Sequence, residues 1–424
     1  MKVLLLASGR SKRMQPVRDK NFLDFLGKTL LERQIESLKS NGFEDIIVVG
    51  GAHNLEEIKS YGFETVEQEN LDDGMKGAIS SSAKMLTEDV LIVSSNDVFD
   101  ESVYALMSNA IKECSEDGVV LAKKVKEYFP GGYLELDSEG FMKSIVEKPE
   151  KGTEPSDLVN LVMHYFKDAG KFVEYLEAAK SENDDLYEVA MQNMINDGYK
   201  FIALPYEGYW QAIKFPWHIH KVFGFLFEKA EKHVSEKAQI SENAVINGDV
   251  IIEDGVKVFD GAVINGPAYI GKGAVIATNA LVRESHVGKN CVVGYSTEVA
   301  RSYLGDDVWT HSNYIGDSII GNNVSFGAGT VTGNLRLDEK TISMSVKGEK
   351  MDTGENKLGI VTGDHVRAGV NTSFMPGVKI GSNSFVGAGL VICEDIPENS
   401  FVRGCTTLKI SKNKVNVEKI KRNL

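Results

Sequence analysis

No two cysteines of this sequence stand close enough to form a CxxC pair. Cys114, Cys291, Cys393 and Cys405 are scattered over 424 residues. That argues against a structural metal knuckle and for reduced thiols in a cytoplasmic protein. Long hydrophobic runs are missing too, and none approaches the roughly 20 residues of a membrane span. Behind Lys2 only five apolar or small residues follow, too short a core for a secretory signal. No membrane partner is expected. Positive charge is in deficit, with 47 Lys and Arg against 61 Asp and Glu, a net charge of −14. A nucleic-acid surface needs a basic field, so that partner class is excluded. A small anionic substrate is not, because a few local cations suffice. Paired histidine ligands are lacking as well. His218 and His220 are two apart and face different ways on a helix, and His53, His164, His233, His286 and His365 have no ligand-spaced partner. They read as structural or surface residues.

What is present falls into two halves. Up to about residue 230, short apolar strands such as "KVLLLA", "FEDIIVVGG" and "DVLIVSSND" alternate with helical stretches such as "KTLLERQIESLKSNG". This is βαβ grammar and predicts an α/β Rossmann-like domain with a parallel sheet, with its site at the carboxyl ends of the strands. "ASGRS" and "SSND" both fall at such ends. The segment "PWHIHKVFGFLFEKAEKHV" reads as a connecting helix.

From about residue 236 the period changes to six. Ile240, Ile246, Ile252, Val258, Ile264, Ile270, Ile276 and Val282 follow one another at that spacing. Four residues beyond the first seven stand Ala244, Val250, Val256, Ala262, Ala268, Ala274 and Ala280. Two such rows predict a hexapeptide β-solenoid whose stacked triangular coils bury one another's faces. The register slips near Gly288, resumes through Ile320 and Phe326, and returns at Phe374, Ile380, Val386 and Ile392 after a polar stretch, residues 332–357, that must loop out. The basic tail "KISKNKVNVEKIKRNL" either caps the stack or is loose.

Three stretches carry a resemblance: "LASGRSKRMQPVRDKNFLDFLGKTLLE", "HSNYIGDSIIGNNVSFGAGTVTGNLRLDEK" and "GDHVRAGVNTSFMPGVKIG". In these the chain resembles the bifunctional N-acetylglucosamine-1-phosphate uridylyltransferase/glucosamine-1-phosphate acetyltransferase family, including its archaeal sugar-phosphate relatives. The resemblance implies a nucleotidyltransferase domain over residues 1–228 and a left-handed β-helix of acyltransferase type over residues 229–424. It implies UTP and a sugar-1-phosphate as substrates, Mg²⁺ and acetyl-coenzyme A, and a homotrimer or a multiple of one with the acyl site between subunits.

For nucleotidyl transfer the matched positions are Leu6, Ala7, Ser8 and Gly9 of the nucleotide loop, with Arg13 and Lys20 as the catalytic phosphate grips. Planar guanidinium and ammonium groups suit a site where anions must meet. Gln68, Gly74 and Ala78 match the base pocket, and Asp97 matches a magnesium ligand. Gly132, Glu147 and Asn160 match the sugar positions. The plainer readings are a basic turn, a helix cap at Asp97 and ordinary strand-edge polarity. In the solenoid, His311 matches the base that takes a proton from an attacking amine. Its plainer reading is a corner histidine. Tyr314, Asn334 and Lys340 match sugar-phosphate positions, and Ala388 and Arg403 match coenzyme A contacts.

The chain also departs from the pattern. Ser11 replaces a loop glycine, Asp19 a proline and Val162 the glycine after the sugar asparagine. Ala300-Arg301 replaces a lysine-containing pair, with Arg301 offered as the substitute charge, and Ser325 replaces an asparagine. Ala212 stands where the family has a second metal ligand, and three readings stay open: the Lys214 ammonium replaces part of the missing metal charge, Asp97 with water and phosphates holds the ion alone, or transfer is slow or lost. Two other readings stay open at this point: a glucose-1-phosphate thymidylyltransferase-type enzyme whose β-helix only oligomerises, and a non-catalytic subunit that binds sugar nucleotides.

Overall fold

The computed structural model describes residues 1–183, 185–404 and 410–412. Cys405 and all of the basic tail but Ile410–Lys412 lie outside the described residues. Among the described residues no helix is long and apolar enough to cross a membrane.

The first half is built on one nine-stranded sheet. Its strands are β1 (Lys2–Leu6), β2 (Ile46–Gly51), β3 (Glu64–Gln68), β4 (Val90–Ser94), β5 (Gly118–Lys124), β6 (Gly132–Leu136), β7 (Met142–Glu147), β8 (Leu158–Phe166) and β9 (Phe201–Pro205). The order is β7-β6-β8-β4-β1-β2-β3, with β5 joining β8 to β9. Only β4, β1, β2 and β3 form a continuous parallel run. The expected parallel sheet is there at the centre, and the sheet as a whole is mixed, because β6 and β7 make a hairpin and the long β8 returns antiparallel to β4. Buried Val, Ile and Leu fill both faces of β1, β2 and β4, since helices cover each side. The carboxyl ends of β1, β3 and β4 share one edge, where the loops carrying Ser8, Gln68 and Asp97 emerge.

The second half is three parallel sheets wrapped into a prism, a β-helix of the left-handed hexapeptide type. Early coils advance 18 residues, as in the pairing of Val263 with Leu281. Later coils advance 17 and then 16, as Leu281 pairs Glu298 and Glu298 pairs Tyr314. The slip expected near Gly288 lies earlier, at the corner Arg283-Glu284-Ser285. There a left-handed residue (Glu284, Arg301, Asp317 in successive coils) turns the chain one residue sooner. Ser285, Ser302 and Ser318 then take the place of the small aliphatic. They are buried, and Ser285 and Ser302 each accept the backbone N–H of the next serine through the hydroxyl. The polar stretch does loop out: Val331 pairs Ser373 across it. It forms a hairpin, Ser343–Val346 with Glu349–Asp352, that buries Ile342, Met344 and Val346.

The halves share a core. One outer row of the solenoid, Ile251, Tyr269, Tyr303, Ile319 and Val361, packs against Met14, Val17, Leu23 and Phe25, the helix His218–Lys229, and the looped-out hairpin. One face of the prism is thus covered by the chain's own first half. On the other two faces Trp309, Phe385, Phe401 and Val391 are more than half exposed.

Candidate active sites

The first site is assembled from the loop after β1. A buried web fixes that loop. The Asn21 amide donates to the Ala7 carbonyl, as does that of Asn54, and the Ser95 hydroxyl bonds Leu6 O and Asn21 Oδ1. Ser11, in the family's glycine position, has φ 48°, the left-handed region that explains a glycine there. Its hydroxyl donates to Asp19 at 3.2 Å. Ser8 donates to the Gln68 side chain, and Arg10 pairs with Asp72, so the loop after β1 is tied to the one after β3.

Gln68 is buried rather than presented. Its amide nitrogen donates to the carbonyls of Asn70 (2.7 Å) and Gly74 (2.9 Å), so neither amide hydrogen is free for a ligand. Gly77 makes this closeness feasible, since a Cβ there would lie 2.5 Å from the Gln68 nitrogen. Ala78 is buried on the inner face of the helix Gly74–Ser82, away from the surface.

At the end of β4, Asp97 sits in a two-stranded ribbon directly opposite Ala212. The Trp210 indole donates to Asp97 Oδ1 at 2.9 Å. Burial raises the Asp97 carboxyl, while Trp210, Lys214 and Lys20 pull it down. Gln34 donates to the Asp97 carbonyl at 2.8 Å and so fixes the turn from behind. Burial depresses the Lys20 ammonium to about 8 against the pull of Asp19 and Asp97, and Arg13 and Lys214 repel it further. Lys214 is likewise brought to about 8, first by burial, with Arg13 adding to it. Arg13, Lys20 and Lys214 thus lie near one another, with Asp97 facing both lysines, Asp19 beside Lys20 and Glu147 beside Lys214. Lys214 donates to the Pro130 carbonyl at 3.2 Å and lies 3.8 Å above the Phe129 ring, so it reaches towards the sugar positions.

Those positions converge. Gly132 pairs Glu147 across the β6–β7 hairpin, and a Cβ on Gly132 would lie 2.9 Å from Asn160 Oδ1 and 3.1 Å from Glu147 Oε2. The Asn160 amide nitrogen is buried and has no hydrogen-bond partner. Val162 falls where β8 bulges against β5, beside Asn160.

No cluster of three or more metal-ligating side chains occurs among the described residues. Asp97 offers one carboxylate, partly committed to Trp210, with a methyl facing it. This fits Mg²⁺ that is held mainly by substrate phosphates and water, and does not fit a metal held by protein alone.

The second site lies on one edge of the solenoid. His311 stands at the only described corner of its row that runs Thr310 to Ile315 in five residues, with Ser312 at φ 49°. Asn313 fills the shortened corner by donating to Gly327 O (2.8 Å) and Thr330 O (3.0 Å) and accepting the His311 N–H. The imidazole is exposed. Ala388 and Arg403 lie on the same edge in later coils, with Arg403 stacked 4.6 Å over Phe401. At about 4.8 Å per coil, Ala388 is about 14 Å from His311 along the axis. Asn334 donates to Tyr314 Oη at 3.1 Å and to Asp317. Arg301 forms a bidentate pair with Asp317 at 2.7 Å, which occupies its fork and removes it as a free substitute charge. Lys340 is exposed on the looped-out segment.

Asn21, Gln34, Ser95 and Trp210 were not legible as site residues in the sequence. They act through backbone carbonyls or a strand pairing, and only Trp210 carried a signal, being two residues before Ala212.

Comparison with known proteins gives the following. Residues 3–170 match the MobA-like NTP transferase domain and residues 229–352 the GMPPB C-terminal domain. A Bifunctional sugar-1-phosphate nucleotidylyltransferase/acetyltransferase of Sulfurisphaera tokodaii is 34% identical over 95% of this chain and 100% of its own length. A Bifunctional protein GlmU of Methanococcus maripaludis is 32% identical over 98% of this chain and 100% of its own. One from Methanocaldococcus jannaschii is 32% identical over 95% and 97%.

Proposed function

The chain belongs to the bifunctional sugar-1-phosphate nucleotidylyltransferase/acetyltransferase family, and on that premise we propose that it carries out both reactions in one polypeptide. In the first half a sugar-1-phosphate oxygen attacks the α-phosphorus of a nucleoside triphosphate, UTP being favoured. The new P–O bond forms as the α–β bridge breaks, and pyrophosphate leaves. Asp97 would hold Mg²⁺ together with the triphosphate, and the ion would supply neutralisation of phosphate charge there. Arg13 and Lys20 hold the phosphates, and Lys214 stands in for a second carboxylate-bound cation. Because the Gln68 amide is committed, we assign the base edge to backbone groups of Leu6–Gly9. Gly132, Glu147 and Asn160 hold the sugar.

In the solenoid, an amino-sugar phosphate held by Tyr314, Asn334 and a neighbour's Lys340 attacks the acetyl thioester. As the N–C bond forms His311 takes the proton that the amine nitrogen loses, the C–S bond breaks, and coenzyme A, lying along Ala388 and Arg403, leaves as the thiol with that proton. The exposed Trp309, Phe385 and Phe401 support a trimer through the faces that the first half leaves open.

The observation that carries the reading is that Arg13, Lys20 and Lys214 lie close enough to repel one another, with Lys20 and Lys214 both drawn to Asp97, a receptor for a polyanion. The test is a panel of nucleoside triphosphates and sugar-1-phosphates, read as pyrophosphate release with Mg²⁺. Release with UTP and N-acetylglucosamine-1-phosphate above other pairs is expected, and release with none defeats the proposal.

A further inference from the structure

We propose that the solenoid completes the nucleotidyl site, with Tyr303, Lys289 and His286 as positioning residues for Lys20. The inference rests on the reading of Lys20 as a phosphate grip. Lys20–Phe22 is a single tight turn, and Asp24 opens a small hairpin with Thr29 directly after it. The turn is held from its own domain by Asn21 and by Phe22, which stacks on Tyr61. The hairpin is held from the other half. Tyr303 donates its hydroxyl to the Asp24 carbonyl at 2.8 Å, and Lys289 pairs with the Asp24 carboxylate at 2.7 Å. The Leu26 N–H donates to His286 Nε2 at 3.3 Å, while His286 Nδ1 donates to Leu304 O at 3.1 Å. His286 is sandwiched between Tyr269 and Tyr303, with centroids 4.8 and 4.7 Å away. Phe25 is fully buried against Tyr303. The ladder is rigid because its rungs come from successive coils of the prism. Upstream, Met14 follows Arg13 into the same core, and Pro16 O lies within 2.8 Å of where a Cβ on Gly363 would be. Both phosphate grips are thus flanked by anchors seated on the solenoid. A loop that must meet a triphosphate to within a fraction of an ångström needs such support, because small misplacements cost large factors in rate.

The test uses the full-length enzyme with Tyr303→Phe, which keeps the ring, alone and combined with Lys289→Met. Pyrophosphate release and thiol release from acetyl-coenzyme A are measured on each preparation. The double variant is expected to lose at least about tenfold in kcat for nucleotidyl transfer, with acetyl transfer within about twofold and with Lys289→Arg restoring most of the loss. Unchanged nucleotidyl transfer overturns the inference. So does equal loss of both activities with a lowered melting temperature, which marks a merely structural contact. Lys20→Ala separates the two levels: if it leaves the rate unchanged, the reading of Lys20 fails and the positioning role falls with it.

Discussion

Ala212 lies directly across a two-stranded ribbon from Asp97, so a methyl group faces the carboxylate at the nucleotidyl site. The ribbon register fixes this pairing. It makes metal binding depend on phosphates more than on protein. Ala212→Asp is expected to lower the Mg²⁺ concentration for half-maximal pyrophosphate release by about tenfold, since a second carboxylate adds one charged oxygen ligand. Titration of activity with Mg²⁺ checks it. An unchanged or raised requirement means Lys214 already balances the site.

The crowded lysines give a pH prediction. Lys20 and Lys214 both sit near 8 in the free protein, pushed down by burial. An incoming triphosphate supplies negative charge and raises both. At pH 8 each is half-protonated and takes up protons on binding, about one in total. At pH 6 both are already charged and uptake vanishes. Calorimetry of UTP binding in buffers of different ionisation enthalpy measures this. Lys214→Met should remove about half of the uptake.

On the proposed reading the orphaned amide of Asn160 meets the sugar. Asn160→Leu is expected to raise KM for the sugar-1-phosphate by about tenfold or more, with KM for the triphosphate little changed, because a buried donor that the sugar satisfies is removed. Gly132→Ala should act in the same direction by pressing on Asn160 and Glu147. Steady-state kinetics with each substrate varied in turn decide this.

How much of this was legible beforehand varied with how local the cause was. The aliphatic and alanine rows announced the solenoid because each residue's role depends on its own coil. The shortened corners were hidden, since Ser285, Ser302 and Ser318 do the work of alanine with a polar side chain that bonds the next coil. Ala212 stood out as a chemical misfit. Its facing Asp97 needed only one strand pairing. The engagement of Gln68 by two carbonyls, and of Arg301 by Asp317, depends on side-chain geometry that spacing does not carry. The seating of Phe25 on Tyr303 joins residues 278 positions apart (303 − 25), and nothing in either half's pattern points to the other.

The exposed faces of the prism bear on assembly. Trp309→Glu is expected to shift the protein to a smaller species in size-exclusion chromatography with light scattering and to lower acetyl transfer in parallel. An unchanged mass would place the subunit contact elsewhere.

The most direct test of the central claim, two separate active sites in one chain, is a cross of Asp97→Asn and His311→Ala with both activities measured on each preparation. Asp97→Asn should lower pyrophosphate release at least about a hundredfold and spare acetyl transfer. His311→Ala should lower thiol release from acetyl-coenzyme A by about a hundredfold or more and spare pyrophosphate release. The account is contradicted if neither wild-type activity is detected, or if either substitution leaves its own reaction untouched.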